Sequence, residues 1–223
     1  MIRMNEVSFA YGSREVLRNF NLELKAGETV MITGPNGVGK STVLRLLAGV
    51  LKPLSGQIDY GHSCEVESRL KTAYLPDSLS FYRSMTPVEA AEFHAGIFGT
   101  KPADLELAQK AGVELSSHIY ELSLGQRVLV QLSIVLSTEP DLILIDEILH
   151  SVDPHLREII FRELIMVMEK SNPAVVLVNL NYHEIEHLAD RVVFLGRDGV
   201  RLDESVDCLK AKTRMVIADE LPE

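Results

Sequence analysis

Eight residues constrain this chain more than any others: Gly34-Pro35-Asn36-Gly37-Val38-Gly39-Lys40-Ser41. They follow an apolar run of strand character, Thr29–Thr33 (TVMIT). They precede Thr42–Leu51 (TVLRLLAGVL), where Leu44, Leu47, Ala48 and Leu51 share one helical face. Pro53 is expected to stop that helix. Glycines at this spacing let successive backbone N–H groups turn inward around an anion. A helix N-terminus adds partial positive charge at the same place. The pattern G-x-x-x-x-G-K-[ST] between a strand and a helix therefore reads as a phosphate-binding loop. Lys40 can reach the β- and γ-phosphates of a nucleotide and Ser41 can ligate Mg²⁺. Thr42, one residue into the helix, falls near the α-phosphate.

The remainder of the chain says what surrounds this loop. Ile2–Phe9 and Phe20–Leu24 alternate with period two, as half-buried strands do. The pattern from about residue 78 to 136 is helical, with Pro87 suited to a first helical turn. Then DLILIDE and AVVLV read as buried strands flanking the amphipathic PHLREIIFRELIMVMEK, and DRVVFLG with GVRL reads as a hairpin. Buried strands alternating with helices imply an α/β core with a parallel sheet covered on both faces. The expected organisation is a single domain over 1–223, with an N-terminal antiparallel β flank and a helical subdomain inserted at 78–136.

A length of 223 residues suits one large domain or one with an inserted lobe. The net charge of −10 opposes broad binding to nucleic acid or an anionic lipid surface, which needs Lys and Arg. Cys64 and Cys208 have no metal-ligand spacing and read as reduced thiols of a cytosolic protein. The N-terminal stretch has no signal-peptide h-region, and the apolar runs are far shorter than a membrane span.

A phosphate loop needs a second carboxylate on the metal side. Asp146-Glu147 supplies it after Leu142–Ile145, at the C-terminal end of a buried strand, where open α/β sheets place ligands. Asp146 can hold Mg²⁺ directly or through water. Glu147 can face a water in line with the γ-phosphate as general base.

Taken together the motifs resemble the ATP-binding subunit of an ABC transporter, and the resemblance covers nearly the whole chain. Leu122-Ser123-Leu124-Gly125-Gln126 resembles the LSGGQ signature, and Tyr11 resembles the aromatic that stacks on adenine. Ser151-Val152-Asp153 with Pro154 resembles the D-loop, and Ala189-Asp190-Arg191 resembles the stretch before the last hairpin. Tyr74-Leu75-Pro76, Phe81-Tyr82 and Thr86-Pro87-Val88-Glu89 are most similar to the drug-efflux and exporter branch.

The resemblance implies an ABC-type P-loop fold and a head-to-tail dimer around MgATP. In that dimer Ser123, Gly125 and Gln126 of one subunit complete the site of the other. Ser123 also reads as a plain helix N-cap, which uses the same geometry. The resemblance further implies a separate transmembrane permease and attachment to the cytoplasmic face of the membrane through it. The apolar Phe81, Tyr82, Met85 and Phe93 would surround the permease groove or pack within the lobe. Tyr82 is expected to be the most exposed, because Phe81 and Met85 share helical spacing.

The chain departs from the family pattern in three places. Asp77 stands where the family has Gln or Glu after Leu-Pro. About 6 Å from a phosphate charge, an ionised Asp would be repelled by about 3 kcal/mol at an effective dielectric of 20. It reads either as a metal or water contact or as a solvated turn residue. Leu124 replaces the middle glycine of the signature, and Leu129 and Ile134 replace basic residues of the following helix. Leu180 stands ten residues before Asp190, where the family carries a switch His, unless a register shift offers Asn181 or His183. Losing one preorganised donor costs on the order of 10²- to 10³-fold in rate.

Three functions follow from these readings. The leading one is the ATPase subunit of a transporter. The second is a slowly hydrolysing clamp or the regulatory half of an asymmetric ABC dimer, paired with a more complete ATPase. The third is a soluble ABC ATPase acting on ribosomes or DNA. The acidic charge and the lack of a second ATPase unit or long coiled coil oppose that one.

Overall fold

The computed structural model describes residues 1–61, 71–76, 82–147, 152–178, 188–197 and 199–210. The chain divides into two compact units, Met1–Asp59 with Val175–Glu223, and Tyr60–Ala174.

In the first unit, β1 (Ile2–Tyr11) lies between β2 (Arg14–Leu24) and β4 (Ser55–Asp59), antiparallel to both. The alternation read in β1 points Ile2, Met4, Val7 and Phe9 into the core. A second sheet sets β3 (Thr29–Thr33) between β7 (Ala174–Val178) and β8 (Arg191–Gly196), parallel to both, with β9 (Gly199–Ser205) antiparallel at the edge. β3 and β7 are apolar on both faces, as central parallel strands must be. Asp190 fixes the start of β3 by accepting a hydrogen bond from the Thr29 amide at 2.8 Å. Arg191 reaches the Glu28 carboxylate at 2.9 Å and Asp203 at 3.3 Å, tying β8 to its neighbours.

Helix α1 (Lys40–Leu47) leaves the end of the loop that follows β3. It is shorter than the apolar spacing to Leu51 suggests. Ala48 caps it and Gly49 turns the chain at φ +67°, so glycine ends the helix before Pro53 is reached.

The second unit pairs the short β5 (Thr72–Leu75) in parallel with β6 (Leu142–Ile145). Among the described residues its α-helices are α2 (Pro87–Phe98), α3 (Glu106–Lys110), α4 (Leu124–Leu136) and α5 (Pro154–Ser171). Pro87 takes the first turn of α2, behind a Thr86–Glu89 capping box. From Val128 to Leu136 every residue of α4 is buried. Leu129 and Ile134 are fully covered there, so an uncompensated charge at either place would be costly. Among the described residues no helix is long and apolar enough to cross a membrane.

Candidate nucleotide site

The loop between β3 and α1 is built on glycines in conformations that L side chains rarely adopt. Gly34, Gly37 and Gly39 have φ of +141°, +74° and +117°. Gly34 also lies so close to β8 that a Cβ there would stand 2.2 Å from the Leu195 carbonyl oxygen. The loop tip, Pro35-Asn36-Gly37, is exposed, Val38 and Ser41 are half-buried, and Gly39 and Thr42 are buried. Val16 and Leu17 of β2 cover Gly39.

Lys40 is 4% exposed, and its Nζ donates to the Gly34 and Pro35 carbonyls at 3.0 and 3.1 Å. Helix α1 has Gly39 at its N-cap, no side-chain cap and no acidic residue in its first turn. A buried ammonium, backbone donors and a helix N-terminus at one loop make a strong anion cradle. This donor set fits a nucleotide phosphate. The sequence singled out Tyr11 as well. Tyr11 is 45% exposed, and its ring is set nearly perpendicular to that of Phe9, with centroids 5.0 Å apart.

In the second unit, Asp146 directly follows β6 and is completely buried. Its amide donates to the Leu75 carbonyl at 2.9 Å, and its Oδ1 accepts from the Glu147 amide at 3.1 Å. Glu147 is half-buried beside it. A buried carboxylate is costly unless a cation or donors compensate it. A carboxylate such as that of Asp146 offers the hard oxygen that Mg²⁺ takes, which usually has one or two protein ligands with the rest from phosphate and water. Among the described residues no group of three or more His, Cys, Asp or Glu forms a cage of its own.

The signature segment opens α4. Ser123 caps it by accepting from the Gln126 amide, while the Gln126 side chain takes the Ser123 amide at 3.0 Å and donates to the Gly112 carbonyl at 2.9 Å. The Ser123 hydroxyl keeps its own proton to donate, so capping leaves it able to meet a phosphate oxygen.

Gly125 is buried for a different reason from the one its motif suggests. A Cβ there would lie 2.6 Å from Leu156, 3.1 Å from Val152 and 3.3 Å from Asp153. Its smallness therefore serves the packing of α4 against α5, which sequence spacing alone could not show. Asp153 N-caps α5, accepting from the Leu156 amide at 3.1 Å, so the D-loop aspartate and the signature glycine meet within this unit.

Of the four apolar residues expected around a permease groove, Phe93 is 48% exposed and Tyr82 and Met85 are half-buried. The expectation that Tyr82 would be the most exposed is corrected: it leans edge-on against the Phe93 ring at 5.3 Å, which leaves Phe93 outermost. Asp77, Phe81, Ser151, Leu180, Asn181 and His183 lie outside the described residues, as does Cys64.

With this geometry in view, residues 17–150 match the ABC transporter family. The chain belongs to that family. The ABC cassette is 30% identical over 199 residues to the zinc import ATP-binding protein ZnuC of Roseobacter denitrificans, spanning 88% of this chain and 75% of that one. It is 25% identical over 212 residues to the lantibiotic transport ATP-binding protein SrtF of Streptococcus pyogenes, spanning 93% and 92%. A dimeric ATP-binding cassette in a post-hydrolysis state with ADP and Pi is similar in fold. Its TM-score is 0.78 at 25% identity, over 92% of this chain and 99% of that one. The fold is that of the P-loop ABC ATPases.

Proposed function

We propose that this cassette binds and hydrolyses MgATP as the energy-supplying subunit of a transporter, on the cytoplasmic face of the membrane and beside a separate permease. The observation that carries this is Lys40, a buried ammonium held at an uncapped helix N-terminus by two loop carbonyls. An ammonium beside a glycine-rich turn and a helix N-terminus favours an anion at that place. Gly34 to Thr42 hold the phosphates and Tyr11 the base. Ser41 and Asp146 would hold Mg²⁺, with Asp77 as a further oxygen donor. The ion would neutralise phosphate charge. Glu147 takes the proton of the attacking water.

Ser123, Gly125, Gln126 and Asp153 complete the site of a second ABC ATPase subunit, identical or not. The dimeric cassette of similar fold supports that reading. We read 78–136 as an inserted helical subdomain of a single 1–223 domain. Its described residues include three α-helices and the signature segment. The resemblance of Thr86 to Glu89 to the exporter branch supports export over import, and the similarity to the zinc import protein ZnuC supports the opposite direction. A charge placed at Phe93 should reduce co-purification with the permease while leaving ATP binding intact.

A second reading rests on Leu180, which can neither donate to a γ-phosphate nor hold water. It makes the site slow, one half of an asymmetric pair. Single-turnover hydrolysis by the purified chain decides between the two. Slow turnover, abolished by Glu147→Gln and raised by Leu180→His, supports the slow site. Robust Glu147-dependent turnover unchanged by Leu180→His sinks it, and failure to bind ATP at all sinks both readings.

A further inference from the structure

Arg14 is the first residue of β2 and faces Tyr11 across the Gly12-Ser13 turn. Residues paired in this way put their side chains on the same face of the sheet. The exposed Tyr11 and the Arg14 side chain are therefore neighbours on one surface. The Arg14 side chain then runs to the phosphate loop, where its Nη2 donates to the Gly37 carbonyl at 3.3 Å. A Cβ at Gly37 would lie 3.6 Å from the same Nη2, in van der Waals contact. Two residues on, Val16 lies against Gly39. The start of β2 thus follows the loop residue by residue, from the aromatic plate to the helix N-terminus.

A guanidinium has five donors in a fixed fork, and this carbonyl takes one of them. Arg14 is exposed, so the remainder face open space beside the loop. A chain of net charge −10 has set a cation on the line that joins a base platform to a phosphate cradle. We propose that Arg14 is a nucleotide-binding residue, which grips the ribose–phosphate part of a nucleoside triphosphate between the base on Tyr11 and the phosphates in the loop. This rests on the nucleotide reading of the Gly34–Ser41 loop, and adds a contact that the loop pattern does not contain.

The test is equilibrium binding of a fluorescent ATP analogue to the full chain at low and moderate salt, for wild type, Arg14→Gln, Arg14→Lys and Lys40→Ala. Thermal melting of each is measured in the absence of nucleotide. A charge-assisted hydrogen bond contributes enough that Arg14→Gln should weaken binding about tenfold at low salt. The gap to wild type should narrow as salt rises, because the contact is an exposed charge pair. Arg14→Lys should recover only part, having the charge without the fork. If Arg14 only braces Gly37, Arg14→Gln lowers the melting temperature and changes affinity by the same factor at both salts. That result, or unchanged affinity, overturns the proposal. If wild type and Lys40→Ala fail to bind alike, the nucleotide reading itself is lost, which is a different outcome from loss at Arg14 alone.

Discussion

Two helix N-termini in this cassette answer to the same kind of motif, and they are made differently. Helix α1 begins at Gly39 without a side-chain cap, the last of three glycines whose φ angles L side chains rarely adopt. Helix α4 begins at Ser123 with a complete capping box, and its glycine has no positive φ. In the phosphate loop the backbone conformation favours glycine, and no side chain caps the helix. In the signature segment the packing of Leu156, Val152 and Asp153 favours glycine, and the capping box already takes the Ser123 and Gln126 amides. A phosphate would therefore be held chiefly by backbone at α1. At α4 it would meet a hydroxyl proton and a helix dipole on a segment that is already ordered.

Substitutions can break this contrast. Gly34→Ala should have the largest effect, more than about 3 kcal/mol of unfolding free energy, because a strained φ is combined with a clash against a strand carbonyl. Urea denaturation measures it, and a loss below about 1 kcal/mol would mean the loop yields easily. Gly125→Ala should cost about 1–3 kcal/mol by overpacking. Combined with Leu156→Ala, the total should be smaller than the sum of the two single losses, since the nearest obstacle is Leu156 Cδ1. Strict additivity would show that the glycine serves something other than this packing.

Ser123→Ala should cost about 1 kcal/mol through the lost cap, even in the absence of nucleotide. Helix α1 has no equivalent cap to lose, and finding no stability change on Ser123→Ala would erase the contrast.

The smallest effect separates the two helices by pH. His94 is buried on α2 and stacks on Phe98 at 4.3 Å, and burial lowers its pKa below the usual 6.5. A lowered pKa means the folded state prefers neutral imidazole. The stability from His94 is thus complete above pH about 6.5 and is lost as pH falls through the folded-state value, with a slope of at most about 1.4 kcal/mol per pH unit. Because α2 packs on α4, amide exchange between pH 7 and 5 should accelerate in α4 sooner than in α1. His94→Phe should flatten that difference.

Much of the fold was legible in the sequence. TVMIT, LILI and AVVLV are too uniformly apolar to be anything but covered strands. The strands β4 and β5 were not legible. SGQID is largely exposed, and TAYL has only four residues, so neither has a periodicity to read; each exists because a partner strand supplies hydrogen bonds. The positions of Lys40 and Asp146 followed from spacing. The contact of Arg14 with Gly37 did not, because it joins residues 23 apart through a turn whose register the sequence leaves open.

By itself the sequence determined the chemistry: a glycine loop with a lysine, a carboxylate pair at a strand end, and a serine–glycine segment at a helix start. These depend on residue type at fixed local spacing, which neighbouring peptide geometry translates directly into structure. Only the tertiary structure decided what a side chain at Gly125 would meet, which of Tyr82 and Phe93 is the more exposed, and that Asp153 meets the signature segment. Each of these depends on which atoms from distant parts of the chain come within van der Waals reach, and close packing, unlike spacing, has no local code.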